Sequence, residues 1–340
     1  MCGICGIHKL DGHAGIDGNL LQKMTRMIAH RGPDDEGYLS ADVHGGEARH
    51  YRGMDTIIEY ENQPFLPVKV DAVTAFGFRR LSILDLSACG HQPMSDERLG
   101  LHIVFNGEIY NHIELREELK SLGYEFVSGS DTEVILKAYH AWREGCLERF
   151  NGIWSFALWD AKARRLFCAR DRFGVKPFYY KIQDGSLIFG SEIKQLIAPE
   201  DRSDLDPAML SRAMKINGML AYGEDTFFKR IKALRPGHYL YVHEGKLDFR
   251  QYYSLDPGTF ETSKLSFDEA TEQYRALFLD AVRLQLRADI EVGSCLSGGL
   301  DSSAIVCAAS DMTDKPLKTF SAWFGGVPAL DERKWIETVV

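Results

Sequence analysis

The 340-residue sequence lacks the features typical of membrane, nucleic-acid-binding and secreted proteins. No run approaches the roughly 18 consecutive apolar residues of a transmembrane helix, and no Lys/Arg-then-apolar secretory signal opens the chain. The net charge is −9 and no basic cluster is present, which argues against nucleic acid and anionic membranes as partners. We therefore expect a globular, cytosolic protein that acts on small molecules.

Cysteine is also scarce. The seven cysteines are an odd number without the spacing of a disulfide framework, so we expect reduced thiols. Cys2 and Cys5 form a C-x-x-C pair, but neither a second pair nor the strand-to-helix context of a redox motif accompanies it. Apart from Cys2 and Cys295, we predict that the cysteines are small buried hydrophobes: Cys5, Cys89, Cys146, Cys168 and Cys307.

Hydrophobic patterning divides the chain into three parts. Residues 1–205 mix strand and helix periodicities, with strands predicted at 3–8, 72–84 and 101–106 and an antiparallel meander over 153–191. Helices are predicted near 20–28, 112–122 and 132–142, the second ended by Gly123. Sheets covered by helices make an α+β domain.

Residues 206–265 form a predicted connecting region with a helix to about Met219 and a hairpin turning at Glu244-Gly245. Ser266 and Glu269 are spaced as a capping box that begins a long helix. A strand at 290–296, a helix from Ser302 and a strand at 317–324 then make a β-α-β unit, so 266–340 is predicted as an incomplete α/β, Rossmann-like parallel-sheet domain. Because two parallel strands do not bury both faces, we expect further β-α units beyond Val340.

Cys2 is the first candidate nucleophile. A methionine followed by so small a residue is normally removed, which would leave Cys2 with a free α-amine beside its thiol. An α-amine has a pKa of about 7.7 to 8.0, so its neutral fraction at pH 7 is able to accept the thiol proton. A lone Met-Cys arises readily by chance, however, so the assignment depends on the accompanying motifs.

Several ordered motifs accompany Cys2: MCGICG at the start, HRGPD at 30–34, RLSILD at 80–85, NGEIYNH at 106–112 and GSDTE at 129–133. Two further runs are RDRFGVKPFYY at 170–180 and SEIK at 191–194. Together they closely resemble the class II glutamine amidotransferase domain of asparagine synthetase. The resemblance implies a layered αββα fold of the N-terminal nucleophile hydrolase type for residues 1–205.

The resemblance also implies roles for individual residues. Arg80 would clamp the α-carboxylate of glutamine, and Asp131 and Glu108 would receive its α-ammonium, with Ile83 and Leu84 lining the pocket. Asn106 and the N–H of Gly107 would form an oxyanion hole as Cys2 attacks the side-chain amide. These residues make up the implied catalytic and glutamine-binding set: Cys2, Arg80, Ile83, Leu84, Asn106, Gly107, Glu108 and Asp131.

Each residue also has an alternative interpretation. Asp131 is suited to cap a helix, Arg80 to make a surface ion pair, and Asn106-Gly107 to form a turn. His30 and Arg31 are expected mainly to shape the loop over the pocket. Residues 51–69 are additional to compact family members, and we expect them to form a surface loop, the alternative being a segment that crosses the pocket and alters glutamine access.

A second site is predicted at SGGLDSS, residues 297–303, between a strand and a helix. Backbone N–H groups at a helix N-terminus cradle phosphates, and the run has no Gly-Lys-Ser/Thr of a Walker A loop. It resembles the PP-loop of ATP pyrophosphatases, with Asp301 suited to hold Mg²⁺ on the phosphates. The implied ATP-binding residues are Cys295, Ser297, Gly298, Gly299, Asp301, Ser302 and Ala322.

The combined prediction is glutamine-dependent asparagine synthesis. ATP would activate aspartate, and ammonia released from glutamine would attack the adenylate. Two alternatives stay open at this point: the same machinery acting on another carboxylate, and a non-catalytic sensor of glutamine or nucleotide. The oligomeric state also stays open, with a homodimer as one option. Amidotransferases that carry sugar-isomerase or phosphoribosyl domains are disfavoured, because SGGLDSS belongs to neither.

Overall fold

The structure, a computed structural model, describes residues 1–42, 48–198, 204–215, 223–259, 264–323 and 331–340. The chain forms two compact units, Met1–Leu255 (unit 1) and Asp256–Val340 (unit 2). The described residues between 206 and 255, predicted as part of a connecting region, therefore belong to unit 1. No helix in the described ranges is long and apolar enough to cross a membrane.

Unit 1 contains fifteen strands and five α-helices in its described residues. The strands are β1 (Gly3–Lys9), β2 (Ile16–Asp17), β3 (Asp35–Ala41), β4 (Arg49–Arg52), β5 (Lys69–Val70), β6 (Thr74–Arg80), β7 (Met94–Asp96), β8 (Leu101–Ile109), β9 (Gly152–Asp160), β10 (Arg165–Arg170), β11 (Tyr179–Gln183), β12 (Ser186–Gly190), β13 (Lys232–Ala233), β14 (His238–His243) and β15 (Lys246–Gln251). The helices are α1 (Gly18–Arg26), α2 (His112–Ser121), α3 (Asp131–Trp142), α4 (Cys146–Arg149) and α5 (Pro207–Lys215).

Two antiparallel sheets form the centre of unit 1. One has the order β13-β11-β12-β1-β6-β3-β4 and the other β15-β14-β10-β9-β8-β7. Their inner faces share one hydrophobic core, in which Ile4 and Phe76 of the first sheet join Val104 and Trp159 of the second. Since inward side chains alternate along each strand, this core binds the sheets face to face.

Helices cover the outer faces. Leu21 and Met24 of α1 pack on the seven-stranded sheet, and α2 and α3 pack on the six-stranded sheet through residues such as Leu115 and Val134. Asp17 caps α1 by accepting hydrogen bonds from the backbone N–H groups of its first turn. The layers are therefore helix, sheet, sheet, helix, which confirms the predicted αββα fold.

The hairpin β14–β15 turns at Glu244 and Gly245, as predicted, with φ of 50° and 74°.

Three predictions were wrong. The meander over 153–191 is two hairpins in different sheets, since β9–β10 and β11–β12 belong to opposite layers. The strand predicted at 72–84 ends at Arg80, and Cys89 and Cys307 are exposed rather than buried. The helix predicted to reach Met219 corresponds to α5, which is described as far as Lys215. The rest of that prediction lies outside the described residues.

Unit 2 consists of α6 (Phe267–Gln285), β16 (Gly293–Cys295), α7 (Leu300–Asp311), β17 (Lys318–Phe320) and α8 (Arg333–Val339). The Ser266–Glu269 capping box is present, and β16 and β17 are parallel, which confirms the predicted β-α-β unit. Helix α7 begins two residues before the predicted start. The buried core described in unit 2 is small and includes Val282, Ala308 and Ala309.

Candidate active site

Cys2 lies immediately before β1, a central strand of the seven-stranded sheet. Its Sγ is 3.4 Å from the backbone N of Leu81, which donates to it, and 3.5 Å from the Leu81 carbonyl oxygen. Burial raises the pKa of the Cys2 thiol. A thiol in this environment needs a nearby proton acceptor before it becomes a nucleophile at neutral pH.

Met1 precedes Cys2 in the structure and is largely exposed. While Met1 is attached, the Cys2 nitrogen is a peptide amide and has no basic lone pair. Burial lowers the pKa of the terminal amine carried by Met1. The lowered pKa favours the neutral form of the N-terminal amine, which lies close enough to Cys2 to interact with it electrostatically.

The HRGPD motif holds the Cys2 backbone in place. The Arg31 Nε donates to the Cys2 carbonyl oxygen at 2.9 Å, and Arg31 Nη1 is 3.2 Å from a Glu192 carboxylate oxygen. That same oxygen is 2.9 Å from the His30 Nε2. Glu192 belongs to the SEIK run, which carried no assigned role in the sequence, so two motifs distant in the chain meet behind the cysteine.

Arg80 is the last residue of β6 and is buried. Its guanidinium donates to the carbonyl oxygens of Ser87 at 3.1 Å and Leu84 at 3.4 Å, and to that of Asp85. Gly90 lies directly against this group, because a Cβ there would be 1.9 Å from Arg80 Nη2. A guanidinium has five N–H donors, so Arg80 retains donor capacity beyond these carbonyls.

Asn106 and Gly107 lie within β8, opposite Ser155 and Trp154 of β9, and not in a turn. Asn106 is fully buried, and its Oδ1 and Nδ2 have no hydrogen-bond partner among the described residues. Such a buried amide typically costs about 1–3 kcal/mol. Gly107 is required by packing, since a Cβ would lie 2.2 Å from the Ile153 carbonyl oxygen.

Half-buried Glu108 and buried Asp131 form a pair of interacting carboxyl groups. Burial, and then repulsion from Asp131, raises the pKa of Glu108 well above its usual range. Burial also raises the pKa of Asp131, although its Oδ2 accepts a hydrogen bond from the Ile109 N–H at 2.9 Å. The raised pKa values show that ionising both carboxyl groups is unfavourable in the empty site, so a bound cation would be stabilised by their negative charge.

Lys176, from the RDRFGVKPFYY run, is the buried cation that interacts electrostatically with both Glu108 and Cys2. Burial lowers its pKa. Sequence reasoning assigned it no role, and the only signal was its place in a quoted motif. Its positive charge lowers the cost of negative charge on the cysteine sulfur.

One cavity brings most of the predicted residues together. Those that line it are Cys2, Arg80, Ile83, Leu84, Gly107, Glu108 and Asp131. Asn106, adjacent to Gly107, is not among the lining residues. The cavity is also lined by residues that sequence reasoning missed, Leu81, Gly90, Gln92, Phe105, Ser130 and Thr132, most of which are direct chain neighbours of predicted ones.

The second predicted site lies in unit 2. Residues 297–303 follow β16 and lead into α7, with Gly298 at φ 75° and Gly299 as the N-cap. Ser297 Oγ and Ser302 Oγ are 3.0 Å apart and fold the loop on itself. Cys295 is the last residue of β16, and Ala322 comes two residues after the end of β17. Both therefore lie at the carboxyl ends of neighbouring parallel strands, the edge at which such sheets bind ligands.

Asp301 is exposed in the first turn of α7. Among the residues that the structure describes, no cluster of three or more His, Cys, Asp or Glu is placed to hold a metal ion. Mg²⁺ on a nucleotide needs only one or two carboxylates together with the phosphates. A single exposed Asp301 therefore fits a metal carried by the nucleotide and not a preformed protein site.

Comparison with known families agrees with this geometry. A family model described as a glutamine amidotransferase domain matches residues 67–253, more than half of the chain, and one described as asparagine synthase matches residues 273–340. The layered fold and the matching family model together define the class, which is a glutamine amidotransferase domain. The chain belongs to the glutamine amidotransferase family. Residues 273–340, in its second unit, are similar to the asparagine synthase family.

The chain is 37 % identical over 328 residues to asparagine synthetase [glutamine-hydrolyzing] 3 of Bacillus subtilis (strain 168), covering 94 % of this chain and 48 % of that protein. It is 34 % identical to putative asparagine synthetase [glutamine-hydrolyzing] 2 of Methanocaldococcus jannaschii, covering 100 % and 62 %. Amidase chry2 of Gibberella zeae is 32 % identical, with 94 % and 44 % covered. The chain thus spans about half the length of these relatives.

Among solved structures, the fold resembles glutamine phosphoribosylpyrophosphate amidotransferase from Bacillus subtilis complexed with ADP and GMP. The TM-score is 0.54 at 15 % identity, with 94 % of this chain and 65 % of that chain covered. At this identity the likeness establishes the fold alone. It agrees with the layered arrangement of unit 1.

Proposed function

We propose that unit 1 hydrolyses glutamine and that Cys2 is its nucleophile. The observation that carries the proposal is the single cavity in which Cys2, the arginine Arg80 and the carboxylates Glu108 and Asp131 converge. A thiol between a cationic and an anionic subsite matches a substrate that has a carboxylate, an ammonium and a side-chain amide.

In the proposed complex, each end of glutamine has its own subsite. Arg80 binds the α-carboxylate, with Ile83 and Leu84 beside it, and Glu108 and Asp131 bind the α-ammonium. Because the pKa values of both carboxyl groups are raised in the free site, a bound ammonium stabilises their ionised forms. The need for both α-groups discriminates free glutamine from glutamine within a peptide.

Removal of Met1 exposes the α-amine of Cys2, which accepts the thiol proton as the sulfur attacks the amide carbon. The oxyanion of the tetrahedral intermediate accepts hydrogen bonds from Asn106 Nδ2 and the Gly107 N–H. The protonated amine returns its proton to the leaving nitrogen, ammonia departs and a thioester remains. Water then attacks the thioester to release glutamate and restore the thiol.

Asn106 is the residue whose structure is explained by this assignment. Its amide is buried without a partner among the described residues, which is unfavourable in the free protein. A preorganised donor of this kind favours the transition state, since it stabilises charge that develops only during the reaction. The oxyanion is the acceptor that its Nδ2 lacks.

Unit 2, we propose, supplies the reaction that consumes the ammonia. In this proposal the loop 297–303 binds the phosphates of ATP, and Cys295 and Ala322 line the adenosine site. Asp301 would hold Mg²⁺, which would offset negative charge on the phosphates. ATP activates the side-chain carboxylate of aspartate as an adenylate with release of pyrophosphate, and ammonia displaces AMP to give asparagine. The relatives named asparagine synthetase [glutamine-hydrolyzing] support this assignment.

A second candidate is the same machinery with a different carboxylate acceptor. Amidase chry2 matches nearly the whole chain at 32 % identity, so this pair of units occurs in a relative that carries a different name. Acceptor-dependent pyrophosphate release from ATP, measured with added ammonia across aspartate and other carboxylates, distinguishes the two. Aspartate-dependent release supports asparagine synthesis, and release with another acceptor alone contradicts it.

The proposed domain organisation retains residues 1–205 as the glutaminase, 206–265 as the connecting region and 266–340 as the beginning of the synthetase domain. We place the protein in the cytosol, because all seven cysteines are free thiols.

A further inference from the structure

Residues 53–63, here called the brace, lie within the segment 51–69 that was expected to form a surface loop. Its outward side chains agree with that expectation, since Met54 and Ile58 are 72 % and 74 % exposed. Other groups of the brace differ from it, because they contact buried charged residues at the start of β3 and near the end of β6. Strand β6 ends at Arg80.

The first contacts are with Glu36. The Asp55 N–H donates to its carboxylate at 3.1 Å, and the Thr56 hydroxyl donates to its backbone carbonyl oxygen at 2.5 Å. Gly53 allows this close approach, because a Cβ there would lie 2.1 Å from the carboxylate. The brace therefore supplies one donor to the carboxylate of Glu36, a residue only 1 % exposed, and a second donor to its backbone carbonyl oxygen.

The brace also binds the neighbour of Arg80. The Asp55 carboxylate accepts a hydrogen bond from Arg79 Nη1 at 2.8 Å, and the Ile57 N–H donates to Asp35 at 3.1 Å. Asp35 in turn is 2.6 Å from the His91 Nδ1. Both ends of the loop 81–91, which carries the cavity residues Ile83, Leu84 and Gly90, are thus fixed to the brace or its partners.

Tyr60 makes the direct link to this loop. Its ring stacks on that of His91 with centroids 4.2 Å apart, and its hydroxyl donates to the Ala88 carbonyl oxygen at 3.2 Å. Ala88 lies between Ser87, whose carbonyl accepts from Arg80, and Gly90, against which the guanidinium packs. Tyr60 and Arg80 therefore both donate hydrogen bonds to backbone carbonyl oxygens of the same short turn.

We propose that Tyr60 is a positioning residue for glutamine, acting through the turn 87–91 to fix the guanidinium of Arg80. The inference rests on the proposed glutamine site and deepens it. Tyr60 does not line the cavity, so it acts on the α-carboxylate subsite and not on the reacting sulfur. Its removal weakens glutamine binding more than it slows turnover.

Glutaminase kinetics of the full chain test this role. Tyr60→Ala removes both ring and hydroxyl, and we expect the KM for glutamine to rise about tenfold with kcat within about twofold. Tyr60→Phe retains the stacking and loses only the hydrogen bond, for an expected rise of about two- to threefold. Ile58→Ala is the matched control on the same segment and leaves both constants unchanged. If Tyr60→Ala does not fold, the Tyr60→Phe result decides.

Alkylation of Cys2 by iodoacetamide gives a second readout, followed on the Cys2 peptide because Cys89 and other thiols are exposed. The reagent has no α-carboxylate, so we expect its rate with Cys2 to be the same in Tyr60→Ala and wild type. The glutamine concentration that half-protects Cys2 should rise with KM. Unchanged KM in an active protein, or a fall in kcat alone, overturns the role of Tyr60 and leaves the glutaminase intact. A wild-type protein that does not hydrolyse glutamine overturns both.

Discussion

The two units differ in how much of themselves they bury. Unit 1 contains large, fully buried aromatic side chains, including Trp154 and Trp159, between and outside its two sheets. Unit 2 has a small buried core, and large apolar residues of α6 and α7 such as Phe267 and Leu300 are 85 % and 87 % exposed. The difference follows from topology, because a layered antiparallel domain covers its own faces and a two-stranded parallel sheet does not.

This difference extends to the two candidate sites. The unit 1 site combines Arg80 of β6 and Glu108 of β8 with Asp131 of α3, and it therefore draws on both sheets and a covering helix. Arg80 and Asp131 are buried and hydrogen-bonded, so their positions are fixed before substrate binds. Residues 297–303 of unit 2 are mostly exposed, and their hydrogen bonds are largely local. A buried polar site is costly to maintain, and unit 1 has the larger core with which to offset that cost.

The largest expected effect tests whether the chemistry of the units is separable. Cys2→Ala removes the nucleophile, so we expect glutamine hydrolysis to fall by about 10³-fold or more. Ammonia-dependent release of pyrophosphate, which uses the unit 2 site, should persist in the complete enzyme. Cys2→Ser, with a weaker nucleophile of similar size, is the matched variant. Loss of both activities in Cys2→Ala would show that the two sites are not independent.

A second prediction concerns acid stability, since all eleven histidines lie in unit 1. Burial lowers the pKa values of His8, His50 and His102 to about 4. The unfolded chain binds these protons near pH 6.5, so the free energy of unfolding of unit 1 falls as the pH drops from about 6.5 to 4. For His8 alone the loss reaches about 3 kcal/mol.

Denaturant unfolding from pH 7 to pH 4, monitored by tryptophan fluorescence, measures this loss, and His8→Gln should reduce its pH slope. The raised pKa values of Glu108 and Asp131 act in the opposite direction, since these groups take up protons more readily in the folded state. Double substitution to Glu108→Gln and Asp131→Asn isolates the histidine contribution. If His8→Gln does not change the pH dependence of the free energy of unfolding, His8 does not contribute to the loss of stability.

A third prediction addresses the ammonium subsite. Asp131→Asn removes one charge, and we expect kcat/KM for glutamine to fall about 10- to 100-fold. In the wild type, the KM should rise as pH falls, because protonated Glu108 and Asp131 no longer attract the ammonium. The variant should lose part of this pH dependence. An unchanged pH profile would assign the ammonium to other groups.

The smallest effect is on stability. Glu108→Gln removes one member of the repelling carboxylate pair, so we expect the melting temperature of unit 1 to rise by about 2–4 °C above pH 9, where the wild-type carboxyl is ionised, for a gain of about 1 kcal/mol. Glutamine binding should weaken in the same variant. The gain should diminish as the pH falls below about 9, because the wild-type carboxyl is then protonated. A lower melting temperature above pH 9 would contradict the repulsion.

Much of the fold followed from local sequence. The Glu244-Gly245 turn and the Ser266–Glu269 capping box each act over a few residues, and both are present as predicted. The division of the strands between the two sheets was harder to predict, because β10 and β11 are adjacent in sequence and belong to opposite layers. Nothing in the hydrophobic alternation of those strands distinguishes one sheet from the other.

The residues that support the site were also hard to predict. Motifs identified the cavity-lining side chains, but the contact of Arg31 with the Cys2 carbonyl and that of Tyr60 with Ala88 join segments distant in the chain. Such contacts depend on the pairing of β3 with β6, which places Asp35 opposite Arg80. Their chemistry is ordinary hydrogen bonding, so no residue type marks them in the sequence.

The role of Cys2 depends on an α-amine that exists only after Met1 has been removed. The most direct measurement is peptide-resolved mass spectrometry of active protein inactivated with a diazoketone analogue of glutamine. We predict a labelled peptide that begins at Cys2 with a free α-amine and carries the label on its sulfur. Label on a peptide that still begins with Met1 would contradict the proposed proton transfer.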